Sequence, residues 1–69
     1  MDSNQNPDIP DQYMTVREVS ELLRISVATV YRLVENRQMP YLKVGGQVRF
    51  RKLSIDAWAR QREKAPLAA

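Results

Sequence analysis

The chain has 69 residues, eleven Lys or Arg against eight Asp or Glu, and neither histidine nor cysteine. So short a chain makes one domain with no room for a large enclosed substrate pocket. Without thiol or imidazole it has no disulfide, no usual zinc site and no catalytic dyad or triad that relies on those groups. The net charge of +3 hides an asymmetry: Asp2, Asp8 and Asp11 lie in an opening segment with no base, while from Tyr13 onward eleven bases face five acids. That balance of +6 favours a polyanionic partner over a neutral one. No apolar run approaches the roughly 20 residues that span a bilayer, and no signal-peptide pattern is present, which predicts a soluble protein of a reducing compartment.

MDSNQNPDIPDQ, residues 1–12, is polar, carries two prolines and has no periodicity, so it is expected to be a disordered arm. The domain is then residues 13–63, with a flexible tail over 64–69. Thr15-Val16-Arg17-Glu18 fits a capping box, in which the threonine hydroxyl and the glutamate carboxylate each satisfy a free backbone N–H at a helix start. Val16, Val19, Leu22 and Leu23 follow at helical spacing and predict a first helix of about two and a half turns. Arg24-Ile25 makes a tight break, and Ser26 is placed to cap a second helix. In that helix Val27, Val30, Leu33 and Val34 share one side, with Tyr31 at the margin; Ala28, Thr29, Arg32, Glu35 and Asn36 share the other. It must end before Pro40.

YLKVGGQVRFRK, residues 41–52, reads as a β-hairpin with four bases and no acid. A two-residue Gly45-Gly46 loop sets Val44 opposite Gln47 and Leu42 opposite Arg49, mixing apolar and charged residues on both faces. A three-residue loop, Gly45-Gly46-Gln47, instead pairs Val44 with Val48 and Leu42 with Phe50 inside, and Lys43 with Arg49 and Tyr41 with Arg51 outside. The burial pattern predicts the second register. Lys43 against Arg49 then costs a few tenths of a kcal/mol, about what a facing like-charge pair costs, and a polyanion along that face reverses the sign. A last helix is expected from near Lys52 to about Arg62, with Ile55, Trp58 and Ala59 inward.

The resulting fold is mainly α with a small β-hairpin wing, a winged helix-turn-helix. In such an arrangement the second helix enters the DNA major groove with its N-terminal residues at base edges, here Ala28, Thr29 and Arg32. Thr15, Arg17, Ser26 and Tyr31 are the candidates for backbone phosphates, and Lys43, Gln47, Arg49 and Arg51 for the wing. Each also has a plainer reading: Tyr31 can pack its ring at the core edge, and Arg32 can pair with Glu35 or Asn36. No paired carboxylates in an apolar setting, glycine-rich nucleotide loop, metal-ligand cluster or activated nucleophile is found, so neither enzyme chemistry nor a metal or cofactor is expected.

Tyr13-Met14-Thr15, Glu18-Val19, Leu22-Leu23, Ser26 with Thr29-Val30-Tyr31-Arg32, Met39-Pro40, Val44-Gly45-Gly46, Arg49-Phe50 and Ile55-Asp56-Ala57-Trp58 form a set that resembles phage and mobile-element excisionases, related to the MerR-type DNA-binding domain. The resemblance covers about residues 13–60. It implies an excisionase, or recombination directionality factor, that binds and bends double-stranded DNA, associates cooperatively head to tail on it and steers a phage integrase toward excision in the bacterial cytoplasm. A small transcriptional regulator of the same fold remains the alternative. A module binding an acidic protein is the reading from a different class. Two positions depart from the family: members often have glycine where Arg37 stands, leaving Asn36 to take the helix-ending role, and proline is common where Arg51 stands.

Overall fold

In the computed structural model, which describes residues 12–64, the elements run β1 (Tyr13–Met14), α1 (Val16–Leu23), α2 (Val27–Glu35), β2 (Leu42–Val44), β3 (Gln47–Arg51) and α3 (Lys52–Arg62). The expected disordered arm over 1–12 and flexible tail over 64–69 lie, but for Gln12 and Lys64, outside the described residues. Three helices and an antiparallel hairpin form the winged helix-turn-helix that the sequence predicts.

Both helices of the helix-turn-helix start on side-chain caps. Thr15 Oγ1 accepts from the Glu18 N–H at 3.1 Å, and Glu18 Oε1 accepts from the Thr15 N–H at 2.9 Å, closing the capping box. Ser26 Oγ accepts from the Thr29 N–H at 3.0 Å at the start of α2. Both helices end in the left-handed region. Arg24 has φ 58 and ψ 46, and the Ile25 N–H donates to Ser20 O. At the end of α2 the left-handed residue is Arg37, φ 57, whereas Asn36 stays at φ −88, against the expectation that Asn36 would take that role. Arg37 N–H donates to Val34 O and Gln38 N–H to Leu33 O, at 3.0 and 2.8 Å, the bonding of a Schellman motif. A side chain in this region costs about 1–2 kcal/mol, so the satisfied carbonyls outweigh the strain.

Val16, Val19, Val30, Val34, Met39, Phe50 and Ile55 form the core, with Phe50, Ile55, Val19 and Val30 wholly buried. Leu22, expected in the apolar stripe, is 45% exposed. At 3.6 residues per turn it sits roughly 90° from the line through Val16, Val19 and Leu23, and that angle turns it out of the core. α3 begins at Lys52 without a side-chain cap, and its Ile55 fills the core while Trp58 and Ala59 are half-buried. Trp58 Nε1 donates to Gln38 O at 2.6 Å, tying α3 to the segment that follows α2.

The hairpin takes the other register. Leu42 faces Arg49, Lys43 faces Val48 and Val44 faces Gln47, leaving a two-residue Gly45-Gly46 turn in place of the expected three-residue loop. Both glycines have positive φ, 59 and 83, the signature of a type I′ turn, whose twist matches that of the flanking strands. The predicted Val44–Val48, Leu42–Phe50, Lys43–Arg49 and Tyr41–Arg51 pairs therefore do not form. The burial argument failed because the tip is not buried: Val44 is 55% exposed, and only Val48 and Phe50 of β3 face inward enough to pack. A further strand escaped the sequence altogether. β1 pairs with β3, Tyr13 against Arg51 and Met14 against Phe50, giving the order β1-β3-β2. Two residues are too few to leave a period-2 signal.

Candidate nucleic-acid interface

Opposed residues on paired strands share a face, so the register divides the wing's bases. Lys43 shares the inner, α2-facing side with Val48. Arg49 and Arg51 lie on the outer side with Leu42, Val44 and Tyr13. The single basic face expected from the sequence is thus split in two, and the Lys43–Arg49 repulsion it carried disappears.

On the inner side Thr15, Arg17, Tyr31, Lys43, Gln47 and Arg49 line one open cleft between the start of α1, the flank of α2 and the wing. Six of the eleven candidate residues are brought together here, and no acidic side chain is among the described residues that line it. Arg49 lines the outer face of the wing as well, with Tyr13, Leu42, Val44 and Gln47. Its Nη1 donates to Val48 O at 2.8 Å and its Nη2 to Gln47 Oε1 at 2.9 Å, which fixes the direction of the charge. Thr15 and Ser26 are committed to their caps, which hold the first turns of α1 and α2 in place.

Along α2, Arg32 stands opposite the buried Val30–Val34 line, with Ala28 one turn before it, and both are exposed. Tyr31 flanks them toward the wing and is 47% exposed, so it is not spent on core packing. Thr29 flanks them on the opposite side. It is half-buried, its Oγ1 lies 2.9 Å from Ser26 Oγ, and it lines a second, mainly apolar groove with Leu33, Trp58 and Arg62. Arg32 forms no ion pair with Glu35 or any other described residue. Arg51 is not brought to the cleft. It lies across the sheet from Tyr13, its Cζ 5.8 Å from the ring centroid.

Two bases escaped the sequence reading of the site. Arg37 lines the continuation of the cleft with Tyr31, Tyr41 and Lys43; its left-handed backbone, which aims it, has no sequence signal when the residue is not glycine. Arg62 flanks α2 on the Thr29 side, stacked over Trp58 at 4.6 Å, and only its last-turn position in α3 hinted at it. No helix among the described residues is long and apolar enough to cross a membrane.

The chain is similar in sequence to known proteins. Two Mycobacterium tuberculosis proteins named as candidate DNA-binding proteins, Rv0500A of strain H37Rv and MT0521 of strain CDC 1551, are each 50% identical to the chain over 38 residues. The match covers 55% of this chain and 49% of each relative, so the chain spans about half the length of the curated relatives it matches. No solved structure matches it significantly. The family model described as a helix-turn-helix domain matches residues 13–63, from β1 through the end of α3, and the chain belongs to that DNA-binding family.

Proposed function

We propose that this chain binds duplex DNA with α2 in the major groove and acts as an accessory factor of site-specific recombination, an excisionase that steers an integrase. The observation that carries the DNA reading is the acid-free cleft that gathers Arg17, Tyr31, Lys43 and Arg49 beside the exposed face of α2. Ala28 permits close approach to base edges, and Arg32, unpaired among the described residues, bonds guanine bidentately. Thr29 reaches a phosphate or a thymine methyl from the flank. The N-terminus of α2 adds N–H donors to a phosphate, with Ser26 holding its first turn. Lys43, Arg49 with Gln47, Arg17 and Tyr31 grip the backbone on the wing side, and Arg51, on the outer face, serves a neighbouring phosphate or a protein partner. The protein performs no chemistry; it bends DNA and associates cooperatively along it, so that the integrase assembles a different complex.

The excisionase role rests on the likeness carried by residues 13–60, and a small transcriptional regulator uses the same fold. Selection from a randomised duplex pool at near-physiological salt, followed by gel shift with one and several copies of the enriched site, separates them. Tandem copies bound cooperatively with bend-altered mobility are expected. A palindrome or a single site identifies a regulator, and no enrichment identifies a protein-binding module. On the enriched site, Arg32→Ala is expected to relax base preference by about 1–3 kcal/mol, whereas Lys43→Ala weakens binding to all sequences alike. Equal behaviour of the two variants on every sequence refutes the role given to α2.

A further inference from the structure

The groove beside α2 does not end at the cleft already described. Beyond Tyr31, Lys43 and Val48, which line both parts, it runs on past Glu35 to Arg37 and Tyr41, at the C-terminal end of α2 and the base of the wing. Val34 and Val48 give it an apolar floor, and the side chains of Arg37, Tyr41 and Lys43 are exposed along it. Neither the Arg37 guanidinium nor the Lys43 ammonium has a hydrogen bond or ion pair with any described residue. Arg37 is also the residue held at φ 57, in a conformation that glycine adopts without strain. Folding alone therefore favours glycine at this position, and the cationic side chain is kept there at a cost to the fold.

We propose that Arg37, with Tyr41 and Lys43, forms a second phosphate-binding site, for a phosphodiester of duplex DNA lying beyond the reach of the α2 N-terminus. The inference rests on the DNA-binding reading above and lengthens its footprint. Arg37 presents a planar fork of N–H donors that suits phosphate, and the Tyr41 hydroxyl and Lys43 ammonium supply further donors on the wing side. Glu35 is the one acid lining this stretch, and it opposes the phosphate there. Arg24 provides an internal comparison, because it has the same left-handed backbone, φ 58, but lines neither part of the groove.

The test uses the full chain on one enriched duplex, with affinity measured as salt is raised from about 50 to about 200 mM. Arg37→Gln is expected to weaken binding at every sequence tested and to lower the salt slope by about one counterion, so that the wild type's advantage shrinks about threefold over that range. Arg37→Gly should lose affinity in the same way while its melting temperature holds or rises, so lost binding cannot be lost folding. Glu35→Gln should strengthen binding. Phosphate ethylation should reveal one position that weakens the wild type and no longer affects Arg37→Gln. An unchanged slope for Arg37→Gln, or a loss equal to that of Arg24→Gln, overturns the second site and leaves the DNA reading standing. A wild-type chain that binds no duplex overturns both.

Discussion

One wall of the groove is α2, whose first turn is capped by Ser26, whose last carbonyls are met by the Arg37 and Gln38 N–H groups, and whose Val30 and Val34 sit in the core. The other wall is the wing, anchored through Phe50 and half-buried Val48, with every residue from Lys43 to Gln47 exposed. The helix is thus fixed at both ends and along its length, while the wing is fixed only at its base and shaped at its tip by two glycines. A reader of base edges needs a set position, since a bidentate contact tolerates little displacement, whereas a grip on phosphates tolerates adjustment. The difference in anchoring suits the division of labour proposed above.

Removing the shared anchor should erase the difference. Phe50→Ala empties a wholly buried site where β3 meets α1, α3 and β1, and a loss of about 3–5 kcal/mol is expected, seen as cooperative loss of the whole domain in urea. A transition in which the helices survive the wing would show that Phe50 anchors only the hairpin. Next in size, Gly46→Ala forces a side chain to φ 83 although nothing lies within 4 Å of the added methyl, so the cost is backbone strain of about 1–2 kcal/mol. Hydrogen exchange should rise in β2 and β3 and stay unchanged in α2; equal loosening in α2 would mean that the two walls are not independently held. Ser26→Ala is the converse, costing about 1 kcal/mol and loosening the first turn of α2 while sparing the wing. The smallest effect belongs to the Lys52–Asp56 pair, 3.2 Å apart and partly exposed on α3, away from both walls. Asp56→Asn should cost no more than about 0.5 kcal/mol and vanish in high salt.

The same contrast explains how much was legible in the sequence. α1 and α2 are written locally: Thr15 with Glu18, Ser26, and the valines at helical spacing name their starts and inner faces without reference to the rest of the chain. The candidate residues on α2 and at the start of α1 were legible for the same reason. The wing carries two conflicting signals, and the local one, in its turn, prevailed. Its alternation is compatible with two registers, and choosing between them by burial assumes that the tip packs on something, whereas the I′ preference of Gly-Gly decided it. The one-residue slip moved Lys43 to the α2 side, whereas β3 keeps Arg49 and Arg51 on its outer face in either register, and Arg51 lies outside the cleft. Arg37 was not legible as a groove residue because its identity does not announce its left-handed φ.

The hydrogen bond from Trp58 to Gln38 O has a practical consequence. Trp58 is the chain's one tryptophan, half-buried and stacked with Arg62 against the segment that leaves α2. Its emission is therefore a built-in optical reporter of whether α3 stays clasped to that segment, and any shift when DNA is added is read without attaching a dye to so small a surface.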